Sequence, residues 1–467
     1  MINTKLRPMG HQLSAASDIV THRQRIIKAG CGTGKTIATL LSILNLLKDK
    51  KIGERDSVLI IGPKSALAAW DRDIDKFDPA DQIRLRGAIF TVINYDRIFR
   101  PSAEWIMKRD YDVIVADEIH LCKSNKSKRT KALLNLALRQ EEAFESGMIK
   151  GNYRIGLTGT PISNEHLFEV WSYFAFVSPK RGPRSTESKE FGSFYAFANS
   201  FFNINRWHQP ERPINEKAES MILGRFKAIA TRIKKEDCLD LPPQTDIKVM
   251  IPATPEQKAL HKEVTGSSCI SNLEVTFDNA LARLTAARCV AAGFITDDGG
   301  NRLPVPNQKL DTLIELLEEI GKNEKVVIFT AFKLSASLIA QRLKKEGITF
   351  STLTGDSKDK SIWRKWQEDN TRVIIVNYQT GNAGIDLYAA HYTIYYDQQL
   401  SSIVYEQSKD RTHRKGQTGK CFYYHFLTKG TVEESIYNSL KSHMDYNKKK
   451  FDVEWRTDDA RKGASSI

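Results

Sequence analysis

A glycine-rich segment near the start of the chain has the residue types that bind phosphate. It reads AGCGTGKT over residues 29–36, between a predicted strand and a predicted helix. Lys35 could reach the β- and γ-phosphates of a nucleotide, and the Thr36 hydroxyl could ligate Mg²⁺. Its glycines would let backbone N–H groups approach phosphate oxygens without an intervening Cβ. These glycines are Gly30, Gly32 and Gly34. The alternative is a glycine-rich turn with an exposed lysine.

An acidic pair, Asp117-Glu118, closes the apolar run DVIVADE at residues 112–118. A carboxylate at the carboxyl end of a parallel strand faces the ligand crevice. Asp117 is placed to hold Mg²⁺ through water, and Glu118 is placed to orient and deprotonate an attacking water. Phosphoryl transfer needs both roles, because its catalysis is mainly positioning and charge neutralisation. The alternative for the aspartate is an N-terminal helix cap.

Alternating apolar runs and helical patterns would position these residues. Runs that are apolar on both faces and separated by helices indicate buried parallel sheets. The predicted strands are 24–29, 57–63, 88–95, 112–118, 153–160, 325–331, 350–355, 372–377, 392–397 and 421–428. The predicted helices are 35–49, 128–140, 308–320, 333–346, 401–412 and 431–443.

The same rhythm predicts an α/β protein with two parallel-sheet domains. We place the first at residues 1–245, the second at 246–449, and a polar tail at 450–467. Prolines interrupt the first domain after residue 178, and seven aromatic residues lie between Phe191 and Trp207. We therefore predict a mostly helical insertion at about 178–240. Its aromatic residues either pack within the insertion or stack on bases.

Composition narrows the class of protein. The 467 residues exceed one ordinary core, and 70 Lys+Arg against 56 Asp+Glu give a net charge of +14. That charge favours a polyanionic partner such as nucleic acid. No run approaches the roughly 18 apolar residues that cross a bilayer, and no signal-peptide pattern opens the chain. The six cysteines form no C-x-x-C pair, so we expect a reduced, intracellular protein with no structural zinc and no membrane partner.

Several separated motifs occur in the order found in one family of motors. The chain from about residue 6 to about residue 444 resembles the superfamily-two helicases. The motifs are AGCGTGKT at 29–36, DEIH at 117–120, LTGTP at 157–161, VNYQTGNAGIDL at 376–387 and QSKDRTHRKGQT at 407–418. Two features resemble the Snf2-like branch in particular: the Q-x-x-D-R-x-H-R-x-G-Q form of the last motif and RIKKEDCLDLPPQT at 232–245.

The resemblance implies two tandem RecA-like domains that use ATP and Mg²⁺. Lys35, Thr36, Asp117 and Glu118 keep the roles given above. Planar arginine cations offset the charge that spreads over a γ-phosphate in transit. The resemblance also implies that Gln12 recognises adenine and that Gly384 and Asp386 contact the nucleotide. It implies that His120, Thr158 and Thr160 couple the nucleotide state to the grip on nucleic acid. Gln407 and the arginine fingers Arg411 and Arg414 would take part in catalysis.

The resemblance also implies contacts with a nucleic-acid backbone. Hydroxyl, amide and backbone N–H groups hold phosphates without reading sequence. For each such residue, ordinary capping at a strand end is the alternative. The residues concerned are Pro63, Lys64, Asn94 and Tyr95 in the first domain and Thr330, Thr354, Gly355 and Asn377 in the second.

We therefore expect a DNA-dependent ATPase that moves along DNA, in the 3′ to 5′ direction as the family does. Its DNA would be duplex, forked or branched, in recombination, repair or replication. We expect a monomer in the cytoplasm of a bacterial or phage-infected cell, associated with the nucleoid. Two alternatives stay open. One is an RNA helicase, because the sequence DEIH is close to that of the corresponding motif in RNA-acting relatives. The other is a non-hydrolysing DNA-binding scaffold that retains a nucleotide pocket.

Overall fold

The computed structural model describes residues 6–30, 32–64, 67–159, 166–180, 187–189, 191–233, 235, 237–238, 241–270, 273–357, 359, 361–381 and 385–455. The chain divides into two compact units, Met1–Asp240 and Leu241–Ile467. The boundary predicted from the sequence was residue 245.

The first unit is built on a parallel sheet. Its strands are β1 (Gln24–Ala29), β2 (Val58–Gly62), β3 (Ile89–Asn94), β4 (Val113–Asp117), β5 (Tyr153–Thr158), β6 (Pro179–Lys180), β7 (Glu187–Ser188), β8 (Gly192–Ser193), β9 (Phe202–Ile204), β10 (Pro210–Pro213) and β11 (Ala230–Ile233). The main sheet has the order β11-β1-β5-β4-β2-β3, and each of its strand pairs is parallel.

Helices cover both faces of this sheet. They are α1 (Gly10–His22), α2 (Lys35–Lys48), α3 (Leu67–Ile74), α4 (Pro79–Ala88), α5 (Tyr95–Ile98), α6 (Glu104–Met107), α7 (Lys128–Glu145), α8 (Trp171–Val177), α9 (Phe194–Phe201) and α10 (Glu216–Ile229). Alternate residues of β4 enter two different cores: Val113 and Val115 lie in one, Ile114 and Ala116 in the other. Side chains of a strand point alternately to the two faces, so a run apolar at every position needs cover on both.

The insertion mixes helices with short strands. It contains α9 and α10, the antiparallel hairpin β9–β10 and a small antiparallel sheet of β6, β7 and β8. Its phenylalanines pack on the core beside α8, with Phe197 and Phe202 fully enclosed. The chain then returns to the main sheet through β11, which pairs with β1.

The second unit repeats the parallel architecture. Its strands are β12 (Gln244–Ile251), β13 (Cys269–Ile270), β14 (Val275–Thr276), β15 (Phe294–Thr296), β16 (Arg302–Pro304), β17 (Val326–Thr330), β18 (Phe350–Leu353), β19 (Val373–Asn377), β20 (Tyr392–Tyr395) and β21 (Cys421–Thr428). The main sheet has the order β12-β21-β20-β17-β19-β18 and is parallel throughout. The predicted α/β class with two parallel-sheet domains is confirmed.

Helices flank this second sheet as well. They are α11 (Pro255–Gly266), α12 (Ala280–Ala292), α13 (Lys309–Ile320), α14 (Lys333–Lys345), α15 (Ile362–Glu368), α16 (Tyr378–Gly381), α17 (Ser402–Thr412), α18 (Val432–Lys441) and α19 (Lys448–Glu454). The predicted polar tail at 450–467 begins too early. Phe451 of α19 is fully buried in the core of the second unit and Trp455 packs against the same core, because aromatic side chains bury a large apolar area.

A buried histidine makes the second unit sensitive to acid. Burial lowers the pKa of His261 to about 4, and its Nε2 accepts a hydrogen bond from the Val432 backbone N–H at 3.2 Å. The unfolded chain has the higher histidine pKa and binds the proton more tightly. The free energy of unfolding should therefore fall as pH drops from about 6.5 towards 4, by about 2 kcal/mol between pH 7 and pH 5 from this one group.

Urea unfolding at pH 7 and pH 5 measures this effect. His261→Gln keeps a hydrogen-bond acceptor but cannot titrate, so it should lose part of the pH dependence. An unchanged difference between the two pH values in the variant would contradict the assignment.

Candidate functional site

The glycine-rich loop lies between the end of β1 and the start of α2. Gly32 and Gly34 both have φ of +80°, a backbone conformation that residues other than glycine rarely adopt. At Gly34 a Cβ would also lie 2.1 Å from Nε2 of Gln12. At Gly30 the nearest atom to a Cβ is 3.4 Å away, an ordinary contact. The loop geometry therefore requires glycine at two of the three predicted positions.

Lys35 is the first residue of α2 and turns back over the loop. Its Nζ donates to the Ala29 carbonyl at 3.1 Å and lies 3.8 Å from Oε1 of Glu118. Thr36 follows in the first helical turn and is half-buried. The lysine and the acidic pair, predicted from two separate motifs, are thus neighbours in the first unit.

The acidic pair closes β4. Asp117 is buried, and its Oδ2 accepts a hydrogen bond from Trp70 Nε1 at 3.1 Å. Burial, together with the negative charge of Glu118, raises the pKa of Asp117; Lys35 and the Trp70 hydrogen bond offset only part of this. Glu118 itself has the left-handed backbone φ 51°, ψ 50°, and directly follows the last residue of the strand.

A divalent cation suits this pair chemically. Mg²⁺ is bound through a few carboxylate and hydroxyl oxygens together with substrate phosphates. Asp117 and Thr36 supply oxygen donors of that kind. Burial is the main cause of the raised pKa of Asp117, and the negative charge of Glu118 adds to it; a divalent cation would offset that charge. These residues therefore fit the metal that the family implies.

A chain of polar contacts leads from the acidic pair to the neighbouring strand. His120 Nδ1 lies 3.2 Å from Oε2 of Glu118 and 3.3 Å from Oγ1 of Thr158. Thr158 ends β5, which lies between β1 and β4 in the sheet. Of the predicted coupling residues, His120 is therefore in contact with the predicted base, and Thr158 is in contact with His120. Thr160 lies outside the described residues.

The helix α1 also contacts the glycine-rich loop. Gln12 is buried; its Oε1 accepts from the Met9 backbone N–H at 3.0 Å, and its Nε2 donates to the Thr33 carbonyl at 3.3 Å. His11 Nε2 donates to the same carbonyl at 2.8 Å. The amide predicted to recognise adenine thus has protein partners on both its atoms. Both side chains therefore hold the loop at the Thr33 carbonyl.

In the second unit two motifs are tied together. Arg414 Nη1 pairs with Oδ1 of Asp386, and the Leu387 backbone N–H donates to the Arg411 carbonyl at 2.8 Å. Arg411 lies on α17 and is largely buried, while Gln407, one helical turn earlier, is half-buried. Gly384 lies outside the described residues. The contacts join residues 386–387 to the arginine motif.

A partly buried ion network fixes the helix that carries Arg411. Asp246 of β12 accepts hydrogen bonds from Lys409 of α17 at 2.8 Å, from His425 of β21 at 3.0 Å and from Lys441 of α18 at 3.1 Å. Burial alone would raise the pKa of Asp246, but the hydrogen bonds from His425 and Lys409 outweigh it and hold that pKa below its ordinary value. No sequence motif pointed to this residue, because its partners come from three distant elements.

The backbone-contact residues predicted in the first unit differ in exposure. Lys64 is exposed, Pro63 is half-buried, and Asn94 Oδ1 caps α5 by accepting from the Arg97 N–H at 2.9 Å. Tyr95 differs from the prediction. Its ring is buried, and its hydroxyl donates to the Asp117 carbonyl at 2.9 Å. The Tyr95 side chain therefore holds the backbone of the acidic pair in place and is not exposed at the surface.

In the second unit, Thr330 and Asn377 are register partners at the ends of β17 and β19. Both side chains are buried, and Asn377 Nδ2 donates to the Ala331 carbonyl at 3.2 Å. Gly355 is exposed and Thr354 half-buried in the turn after β18. This places the turn, more than the two strand ends, at the surface.

Two features are absent from the described part of the chain. Among those residues no group of three or more His, Cys, Asp and Glu side chains could hold a metal ion. Within the same residues, no helix has both the length and the apolar character to span a membrane.

The chain is similar in sequence to several known proteins. The ATP-dependent helicase/translocase YwqA of Bacillus subtilis is 25% identical over 444 residues, which are 89% of this chain and 45% of that protein. A Mycoplasma pneumoniae ATP-dependent helicase is 24% identical over 87% of this chain and 38% of its own length. The Saccharomyces cerevisiae DNA repair and recombination protein RDH54 is 22% identical over 87% and 47%. The chain spans less than half the length of these curated relatives.

The chain is also similar to a solved structure, the SWI2/SNF2 ATPase core of Sulfolobus solfataricus in complex with double-stranded DNA. The match covers 94% of this chain and 92% of that chain, at 22% sequence identity and with a TM-score of 0.42. The model of the helicase conserved C-terminal domain matches residues 308–416. The model of the SNF2-related domain matches residues 20–289, more than half of the chain. The resemblance predicted from the motifs is confirmed, and the chain belongs to the SNF2-related family.

Proposed function

We propose that the protein hydrolyses ATP and uses the energy to move along DNA. The observation that carries this proposal is the contact chain from Lys35 through Glu118 and His120 to Thr158. It joins a phosphate-binding lysine, a carboxylate suited to activate water and a polar relay. The family membership and the relatives named as ATP-dependent helicases support the same conclusion.

In the proposed mechanism the first unit binds the triphosphate. The loop N–H groups and Lys35 hold the phosphate oxygens, and Gln12 holds the loop and recognises adenine. Mg²⁺, held by Thr36 and Asp117, would neutralise phosphate charge when bound. Glu118 orients the attacking water and accepts its proton. Hydrolysis thus depends on a carboxylate that is itself held between Lys35 and His120.

The second unit supplies the cations for the transition state. We propose that Arg411 and Arg414 stabilise charge on the transferred phosphoryl group, with Gln407 beside them and Gly384 and Asp386 contacting the nucleotide. Asp246 keeps α17 in place through Lys409.

The DNA is held by its backbone in this proposal. Lys64, Asn94, Thr354 and Gly355 are the candidates nearest the surface, and Thr160 joins His120 and Thr158 in coupling. We propose movement from 3′ to 5′ by a monomer on duplex, forked or branched DNA, in recombination, repair or replication. The repair and recombination role of RDH54 supports that setting.

One comparison tests the proposal. ATP hydrolysis should be stimulated by DNA, measured on single strands, linear duplex, forks and four-way junctions of equal length. Stimulation by RNA alone would favour an RNA helicase. No stimulation by either, with tight DNA binding, would favour a non-hydrolysing scaffold.

Salt should weaken DNA binding steeply. Each phosphate contact releases a condensed counterion, so the logarithm of affinity falls linearly with the logarithm of salt concentration. For about six phosphate contacts, the affinity for DNA would fall roughly a thousandfold between about 50 and 200 mM salt. Fluorescence anisotropy with labelled duplex measures the slope. A flat response would contradict a track held by its phosphates.

A further inference from the structure

The tip of the β9–β10 hairpin presents an aromatic side chain to solvent. The hairpin pairs Ile204 with Pro210, and residues 205–209 form its loop. Trp207, in this loop, is 65% exposed. The phenylalanines of the same aromatic cluster behave differently, because Phe197 and Phe202 are buried in the core. The cluster therefore divides into a packed part and an exposed part.

The loop that carries Trp207 is held by hydrogen bonds. Asn205 Oδ1 accepts from the backbone N–H groups of Trp207 and Gln209, both at 3.0 Å. The Asn205 N–H donates to the Gln209 carbonyl at 3.0 Å, and the His208 N–H donates to the Asn205 carbonyl at 2.9 Å. These hydrogen bonds lie within the loop itself, so they hold the turn that exposes the Trp207 indole to solvent.

Arg206 completes the exposed surface. Its guanidinium carbon lies 4.1 Å from the centroid of the Trp207 ring, a cation–π stack that restrains both side chains. The surrounding segment is basic: residues 191–233 contain six Lys+Arg and three Asp+Glu. A planar ring beside a planar cation, in a basic segment, suits a partner with flat π-faces and negative charge.

We propose that this hairpin tip binds unpaired bases of DNA by stacking on Trp207, with Arg206 offsetting nearby phosphate charge. Stacking accepts any base, because every base has a π-face. In an intact duplex the faces of the bases are already covered by their neighbours. Contacts with the DNA backbone alone do not distinguish single-stranded from duplex DNA. The hairpin tip would therefore add a preference for single-stranded segments. This inference rests on the proposed function.

The test compares Trp207→Ala with wild type on labelled single-stranded, forked and blunt duplex DNA. We expect affinity for the single-stranded and forked substrates to fall about 5- to 100-fold, with a smaller loss on blunt duplex. Trp207→Phe keeps a stacking ring and should restore most of the affinity. Quenching of tryptophan fluorescence by single-stranded DNA should shrink in both variants.

Trp105→Ala is the matched control. Trp105 is 57% exposed in the same unit, but its indole N–H donates to the Ser102 carbonyl at 3.0 Å and its ring packs edge-on against Phe90. It should bind all three substrates as wild type does.

Equal losses of affinity on all three substrates, or no loss on any of them, would overturn the inference. Equal losses would show a DNA contact that does not distinguish unpaired bases, and no loss would leave a protein surface as the partner of the tip. If wild type shows DNA-stimulated ATP hydrolysis and Trp207→Ala keeps full single-strand affinity, the inference alone fails. If wild type shows no such stimulation, the proposed function fails first.

Discussion

Replacing Glu118 with glutamine is expected to lower ATP turnover about 100-fold or more while ATP and DNA still bind. The amide keeps the size of the side chain but cannot accept a proton from water. Lys35 and the glycine-rich loop, which hold the phosphates in our proposal, are left intact. Steady-state hydrolysis in the presence of DNA measures turnover, and equilibrium binding of a fluorescent ATP analogue measures affinity.

Glu142→Gln is the control for this variant. Glu142 is exposed on α7 in the same unit, and the same change of charge there should leave turnover near wild type. Normal turnover in Glu118→Gln would remove Glu118 from the role of base. Loss of nucleotide binding together with turnover would instead assign Glu118 to holding Lys35, from which it lies 3.8 Å.

Replacing Arg414 with alanine is expected to lower turnover about a thousandfold or more, with most of the nucleotide affinity kept. An arginine finger acts on charge that develops only in the transition state, so its loss affects the rate more than binding. Arg414→Lys keeps one charge but loses the planar pair of donors, and it should recover only part of the rate.

The ion pair of Arg414 with Asp386 requires a stability control. Thermal unfolding of Arg414→Ala should stay near wild type, because both side chains are partly exposed and such pairs contribute little. Lys415→Ala removes the same charge from the adjacent, exposed position and should hydrolyse ATP normally. A rate for Arg414→Ala within a few-fold of wild type would contradict the finger assignment.

The strands of both main sheets were predictable where they are buried. The predicted ranges 24–29 and 421–428 coincide with β1 and β21. The predicted range 57–63 contains β2, which is buried at every position, because a strand covered on both faces needs an uninterrupted apolar run. The edge strands β11 and β12 were missed. Each has a neighbour on one side only, and its residues are mostly half-buried or exposed, so no continuous apolar run marks it.

The site was predictable in its parts. Gly34 and Lys35 lie at the turn into α2, and Asp117 ends β4, as the strand-to-helix patterns predict. The functional roles of these residues stay predictions. The supporting side chains were not predictable: Trp70 and Tyr95 contact Asp117 from α3 and α5, and nothing in their local sequence indicates a partner so distant along the chain.

By itself, the sequence determined the fold class, the family and the types of residue at the end of each strand. These depend on local periodicity and on short motifs whose spacing is read directly. Only the tertiary structure decided which of those residues meet. Lys35 and Glu118 approach because the strand order brings the carboxyl ends of β1 and β4 to the same edge of the sheet, with only β5 between them. Trp207 is exposed in the hairpin loop, while Phe202 of β9 is buried in the core. Strand order and side-chain direction arise from packing between distant segments, which local sequence does not encode.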